Sequence, residues 1–260
     1  MAGHSKWHNI KHRKAASDAK KGKIFTVHAK LISLAAQNWA DPDDNPNLSE
    51  AITKAKADNV PNVNIDRAIK RWAWLDKDAA QFIEMIYEWY GAWWVAIVLK
   101  TITDNRNRTA SEVRHIFSKF WWNLWETGSV TNFTFRLVGE CIVDTDWKDE
   151  DSIEEILLDA PIEDYEFKDW ILRIEWEKSD LWDIKKVLLN NNLKIIKDWL
   201  EYIPNTESNI TDEVVWLKVV QLLNWLDELE DVSNVWSNEM INESMLDSIS
   251  KKIEDSVFRC

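Results

Sequence analysis

The hydrophobic pattern of this chain changes period once, near residue 75, and that change decides what it can fold into. Before it, apolar residues recur at helical spacing. Phe25, Val27, Leu31, Leu34 and Ala35 line one side of a helix expected over Ile24–Asn38. An earlier helix is expected over 5–20, with Ser5 as its cap, Trp7, Ile10 and Lys14 along one side, and Gly22 breaking it. The acidic turn of 41–46 leads to helices over Asn47–Asp58 and Asn62–Arg71, separated by Asn59-Val60-Pro61. After residue 75 the pattern alternates. Phe82–Trp89 and Trp94–Ile102 read as a hairpin around Gly91, followed by a helix over Asn107–Phe120 and a strand over Ser129–Leu137.

Residues 139–204 then read strand, helix, strand, strand, helix, strand, which is the ferredoxin-like order. A last helix over Asp212–Leu229 and a strand over Val232–Asn238 supply what the block before 138 lacks. The expected fold is therefore α+β, an N-terminal helical module followed by two α+β domains, the third ferredoxin-like and inserted in the second. The expected boundaries are 1–78 for the helical, basic domain and 79–138 plus 205–240 for the split domain. The acidic insert spans 139–204, and 241–260 is a flexible tail. Linkers are expected near 75–80 and 137–139.

Charge is divided as unevenly as pattern. Residues 1–30 hold eight Lys or Arg and one acid, a net +7, on a chain whose formal net charge is −13. Clustered cations on an acidic body address a polyanion, because they release counterions from phosphates. Lys6, Lys11, Arg13, Lys14, Lys20, Lys21 and Lys23 are the candidate contacts in this segment. Arg106, Arg108 and Arg114 add guanidinium forks where a strand meets a helix, although a capped loop with Arg106 paired to the acidic body is the alternative there. Residues 139–180 carry 16 acids against 4 bases, so the insert is expected to avoid nucleic acid.

Other chemistry finds little support. His4, His8 and His12 share one helix face, but no cysteine or carboxylate joins them, and no metal or other cofactor is expected. His115 beside Glu112 lacks a nucleophile and an oxyanion device, so no catalytic residues, enzyme activity or small-molecule substrate is expected. Two distant cysteines, Cys141 and Cys260, suit a reducing cytoplasm. No apolar run approaches the roughly 18 residues a membrane span needs, so no membrane partner is expected.

The opening MAGHSKWHNIKHRKAASDAKKGKIFT, Thr103–Thr109 (TDNRNRT), Glu112–His115, Phe117–Lys119 and Glu126–Val130 resemble the YebC/PmpR family, which includes the mitochondrial translational activator of cytochrome c oxidase. The resemblance runs over roughly the whole chain. It implies a helical domain and two α+β domains. It also implies regulation of gene expression through nucleic acid, most often as a DNA-binding transcriptional regulator. The alternative it leaves open is a ribosome-associated translation factor that binds ribosomal RNA. An enzyme is a distant third.

One departure stands out. The chain has 18 Trp and 5 Gly, and many tryptophans fall in glycine contexts such as Trp93-Trp94 after Tyr90-Gly91, Trp121-Trp122, and Trp170 after Asp169. By the resemblance, Trp7, Trp182 and Trp236 stand where a large side chain belongs. Reading the other fifteen as glycine gives 3 Trp and 20 Gly, near the average of about 7% glycine. The reading that follows is a gene that uses UGA for glycine, translated as though UGA meant tryptophan. Tryptophan forced into positive-φ sites is then expected.

Overall fold

Asn45, Asn105, Asp149 and Asp212 each stand just before a helix and start it in the same way. Each side-chain oxygen accepts a backbone N–H two or three residues on: Leu48 (3.1 Å), Arg108 (3.1 Å), Ser152 (2.8 Å) and Val214 (2.8 Å). In this computed structural model, residues 18–37, 39–73, 81–91, 94–120, 123–124, 130–145, 148–158, 160–168 and 170–240 are described. The chain packs as two compact units, one running to Thr134 and resuming at Pro204, the other spanning Phe135–Ile203.

The first unit begins with α1 (Asp18–Ala36), α2 (Pro46–Ala57) and α3 (Asn62–Ala73). Ile32, Ala36, Leu48, Ala55, Val60, Ile65 and Ala68 form their common core. α1 corrects one expectation, because it runs through Gly22 without a break. A single glycine costs a helix only about 1 kcal/mol, and burial further along the same helix outweighs that. The Gly22 carbonyl also accepts the Thr26 hydroxyl one turn on, at 3.0 Å. α2 ends where expected, with Asn59 in the left-handed region (φ 59°) and the Val60 N–H closing onto the Ala55 carbonyl at 2.9 Å.

The same unit holds a sheet ordered β3-β1-β2-β9, with β1 Ile83–Tyr90, β2 Ala96–Thr103, β3 Asn123–Leu124 and β9 Val232–Ser237. Two helices, α4 (Arg106–Lys119) and α7 (Glu213–Glu228), share one core with it. α7 contributes Val219, Val220, Leu222, Leu223 and Leu226, a wide apolar stripe at helical spacing. β1 and β2 pair antiparallel from Ile83↔Thr103 to Tyr90↔Ala96, the hairpin expected around Gly91. Ser208–Asn209 (β8) and Glu239–Met240 (β10) make a small parallel pair that the sequence pattern did not reveal.

The expected strand over Ser129–Leu137 is also corrected. Buried Glu88 on β1 accepts the N–H groups of Val130 (2.8 Å) and Thr131 (3.2 Å) and the Thr131 hydroxyl (2.8 Å). A carboxylate there starts a helical turn, Thr131–Thr134, and the strand begins only at Phe135. That strand, β4 (Phe135–Asp144), continues through 137–139, so those residues are not a linker.

The second unit adds α5 (Glu150–Leu157), β5 (Asp164–Lys168), β6 (Ile171–Glu177), α6 (Leu181–Asn190) and β7 (Lys194–Pro204). Its sheet order is β5-β6-β4-β7, with β4 and β5 both antiparallel to β6. With one helix after β4 and one after β6, this is the ferredoxin-like arrangement. Ile153 and Leu157 on α5, and Ile184 and Leu188 on α6, lie one turn apart and meet Cys141, Val143, Leu172 and Ile174 of the sheet. Burial pushes the Cys141 thiol up to about 12, so it is an inert core group. The fold is α+β as expected.

Among the described residues four non-glycine residues take positive φ: Asn59, Asn192, Trp94 (61°) and Trp170 (64°). Asparagine tolerates that region; tryptophan does not. Trp170 lies in the two-residue connection between paired Lys168 and Ile171, where a tight hairpin calls for Asp-Gly. Trp176 and Trp216, both buried, also leave their indole N–H without a hydrogen-bond partner.

Candidate nucleic-acid interface

Asp231 lies on the short link from α7 to β9, and its carboxylate is 4% exposed. Four side chains converge on it. Lys30 of α1 donates to one oxygen at 2.8 Å; Arg108 (2.8 Å), Thr109 (2.7 Å) and Thr103 (3.0 Å) donate to the other. Lys30 also reaches the Glu230 carbonyl at 2.9 Å. Burial pushes the Asp231 carboxyl up, but hydrogen bonds from Lys30, Arg108 and Thr109 outweigh it and hold its pKa at about 2. The Asp231 hydrogen bond likewise raises the Arg108 guanidinium further.

Lys23, two turns earlier on α1, reaches Asp227 at 3.3 Å, and Gln37 at the end of the same helix donates to the Phe82 carbonyl at 3.0 Å. α1 is thereby fastened to the sheet-bearing half of its unit along most of its length. Next to Asp231 a cleft of about 700 Å³ opens between α1 and α3 on one side and the start of α4 on the other. Its α3 wall presents Arg67 and Arg71, both exposed. The Arg71 guanidinium carbon lies 5.4 Å from the centroid of the Phe82 ring, which also lines the cleft. Asp104, Arg108 and Glu112 form the facing wall.

The candidate residues divide accordingly. Lys6, Lys11, Arg13 and Lys14 lie outside the described residues, as does the side chain of Lys20, although its backbone is in α1. His4, His8 and His12 also lie outside, and among the described residues no group of three His, Cys, Asp or Glu is placed to hold a metal. Lys21 is exposed on α1. Lys23 and Arg108 engage Asp227 and Asp231, so their charge is already met inside the unit. Arg106 and Arg114 are exposed on α4, two turns apart, and both oppose the rise that burial causes in the Tyr87 phenol. Among the described residues neither forms an ion pair, while the loop before α4 is capped by Asn105 as the alternative reading expects. No helix among the described residues is long and apolar enough to cross a membrane.

Sequence reasoning missed Arg67, Arg71 and Asp231. The arginines carried a faint signal, being one turn apart on a helix. Asp231 carried none, because its partners come from positions 30, 103, 108 and 109.

Residues 5–73 match the family model described as the TACO1/YebC protein N-terminal domain, and residues 82–239 match the TACO1/YebC second and third domain. A "Probable transcriptional regulatory protein" of Finegoldia magna is 43% identical over 243 residues, covering 92% of this chain and all of that protein. One of the same description from Persephonella marina is 41% identical over 252 residues, covering 96% of this chain and all of that protein. The crystal structure of a conserved hypothetical protein from Aquifex aeolicus superposes with a TM-score of 0.73 at 36% identity, over 88% of this chain and 94% of that one.

Proposed function

The chain belongs to the TACO1/YebC family, and from that membership we propose that it is a nucleic-acid-binding regulator of gene expression, acting as a DNA-binding transcriptional regulator in the cytoplasm. The observation that carries this reading is the +7 charge of residues 1–30 on a chain of −13. Six cations of that segment, Lys6, Lys11, Arg13, Lys14, Lys20 and Lys21, precede or begin α1, while Arg106 and Arg114 on α4 add two guanidiniums without an ion pair among the described residues. Such groups contact phosphate and set affinity rather than sequence. The relatives' description as probable transcriptional regulators supports DNA as the target.

In-cell crosslinking followed by sequencing of the attached nucleic acid tests this. Promoter DNA with ribosomal RNA at background supports the reading. Discrete ribosomal RNA positions would replace it with a translation factor acting on the ribosome. Lys11, Arg13 and Lys14 changed together to Glu should abolish binding and regulation in the same step. An enzyme would instead keep turnover of a small substrate.

We also infer that fifteen of the tryptophans, all but Trp7, Trp182 and Trp236, stand where the gene encodes glycine through UGA. The positive φ of Trp94 and Trp170 and the orphaned indoles of Trp176 and Trp216 support this reading.

A further inference from the structure

We propose that the cleft beside Asp231 binds one unpaired nucleotide of a single strand, its phosphate on Arg67 and Arg71 and its base on the Arg71–Phe82 shelf. This rests on the nucleic-acid reading above and goes further, because it assigns a site and a strand state that a basic segment alone does not specify.

Size comes first. About 700 Å³ lies within the roughly 300–1,000 Å³ range of small-ligand sites, and it suits a nucleotide. Paired bases keep their faces stacked on their neighbours, so a duplex offers such a cleft no free base.

Charge then orients the occupant. The four cations on the cleft are not equivalent. Lys30 and Arg108 are neutralised by Asp231, and Arg108 also by Asp104 at 3.0 Å. Arg67 and Arg71 form no ion pair among the described residues. They lie one turn apart on α3, close enough for two guanidiniums to share one phosphate. The facing wall carries Glu112, which also has no ion pair among the described residues. A phosphate is attracted to the α3 side and repelled from the α4 side.

The remaining chemistry is stacking and selection. A guanidinium backed by an aromatic ring keeps its other face as a flat shelf, and bases stack on guanidinium planes as they do on aromatic rings. Glu112 accepts hydrogen bonds, so it favours bases with an exocyclic amine over uracil or thymine. Among the described residues no tryptophan lines the cleft.

The test is fluorescence anisotropy of the full chain with labelled oligo(C), oligo(dC), oligo(U) and a duplex of equal length, at one salt concentration. Wild type should bind oligo(C) or oligo(dC) more tightly than oligo(U), and the tighter of the first two names the sugar. Arg67→Ala with Arg71→Ala should weaken single-strand binding about tenfold and leave duplex binding within about twofold. Glu112→Ala should erase the preference for C over U. If the Ala pair does not fold by circular dichroism, Arg67→Lys with Arg71→Lys carries the test. It keeps the charge, removes the shelf, and should still lower oligo(C) affinity. Unchanged single-strand binding in the variants, or an equal loss for duplex, overturns the cleft assignment. Wild type binding none of the four probes overturns the nucleic-acid reading itself.

Discussion

Lys30 Nζ sits 2.8 Å from Asp231 Oδ1, although the two residues are 201 positions apart in sequence, and their side chains are 10% and 4% exposed. Two buried opposite charges contribute little net stability as a pair, yet removing one leaves the other stranded. The two partners are not symmetric. Asp231→Asn strands buried Lys30 and leaves Arg108 with Asp104 alone, and should cost about 3–5 kcal/mol. Lys30→Met leaves Asp231 with Arg108, Thr103 and Thr109, and should cost about 1–3 kcal/mol. Urea unfolding of the two variants measures the difference, and equal costs would show that Asp231 is not the centre of this network.

The same carboxylate sets an acid dependence. Its pKa is held at about 2 in the fold, below the unfolded value of about 3.9. A depressed folded pKa means stability that is complete above the unfolded value and lost as pH falls through the folded one. The contribution is about 2 kcal/mol, fading between about pH 4 and pH 2. The gap in unfolding free energy between wild type and Asp231→Asn should therefore narrow across that window. A gap that stays constant from pH 5 to pH 2 would sink the assignment.

Local signals served the sequence well where structure is local. The helices expected over Asn47–Asp58, Asn62–Arg71 and Asp212–Leu229 form within one or two residues of those bounds, and the ferredoxin-like order follows from alternation and period. Expectation failed where a distant group decides. Gly22 reads as a break, but α1 is held by Lys23 and Lys30 contacts to Asp227 and Asp231, 204 and 201 positions away. Ser129–Leu137 reads as a strand, but Glu88 turns it into a helical start. Arg108 reads as a phosphate contact, but Asp231 meets its charge. The Asp231 cleft was invisible for the same reason: its walls come from five separated segments.

In the second unit Glu140 is wholly buried, and one Arg173 Nη2 donates to both its oxygens at 2.9 and 2.8 Å. Arg173→Met should therefore cost about 3–5 kcal/mol, because it takes away the guanidinium that meets this buried carboxylate. Adding Glu140→Leu to that variant should recover most of the loss. Denaturant melts of the single and double variants read this directly. A double variant as unstable as the single one would mean that Arg173 acts through packing rather than charge.

The tryptophans make the last prediction, and they set gene against structure. Positive φ costs an L residue roughly 1–2 kcal/mol, so Trp170→Gly and Trp94→Gly together should stabilise the chain by about 1–3 kcal/mol, after the entropy glycine adds to the unfolded state. Trp182→Gly is the control. That residue is exposed on helix α6, where glycine should instead cost about 1 kcal/mol. Thermal melts should move in opposite directions for the two sets. The gene should divide the same way, with UGA at Trp94 and Trp170 and UGG at Trp182. UGG at all three would make the strained tryptophans genuine, and their persistence would then need a functional cause rather than a misread codon.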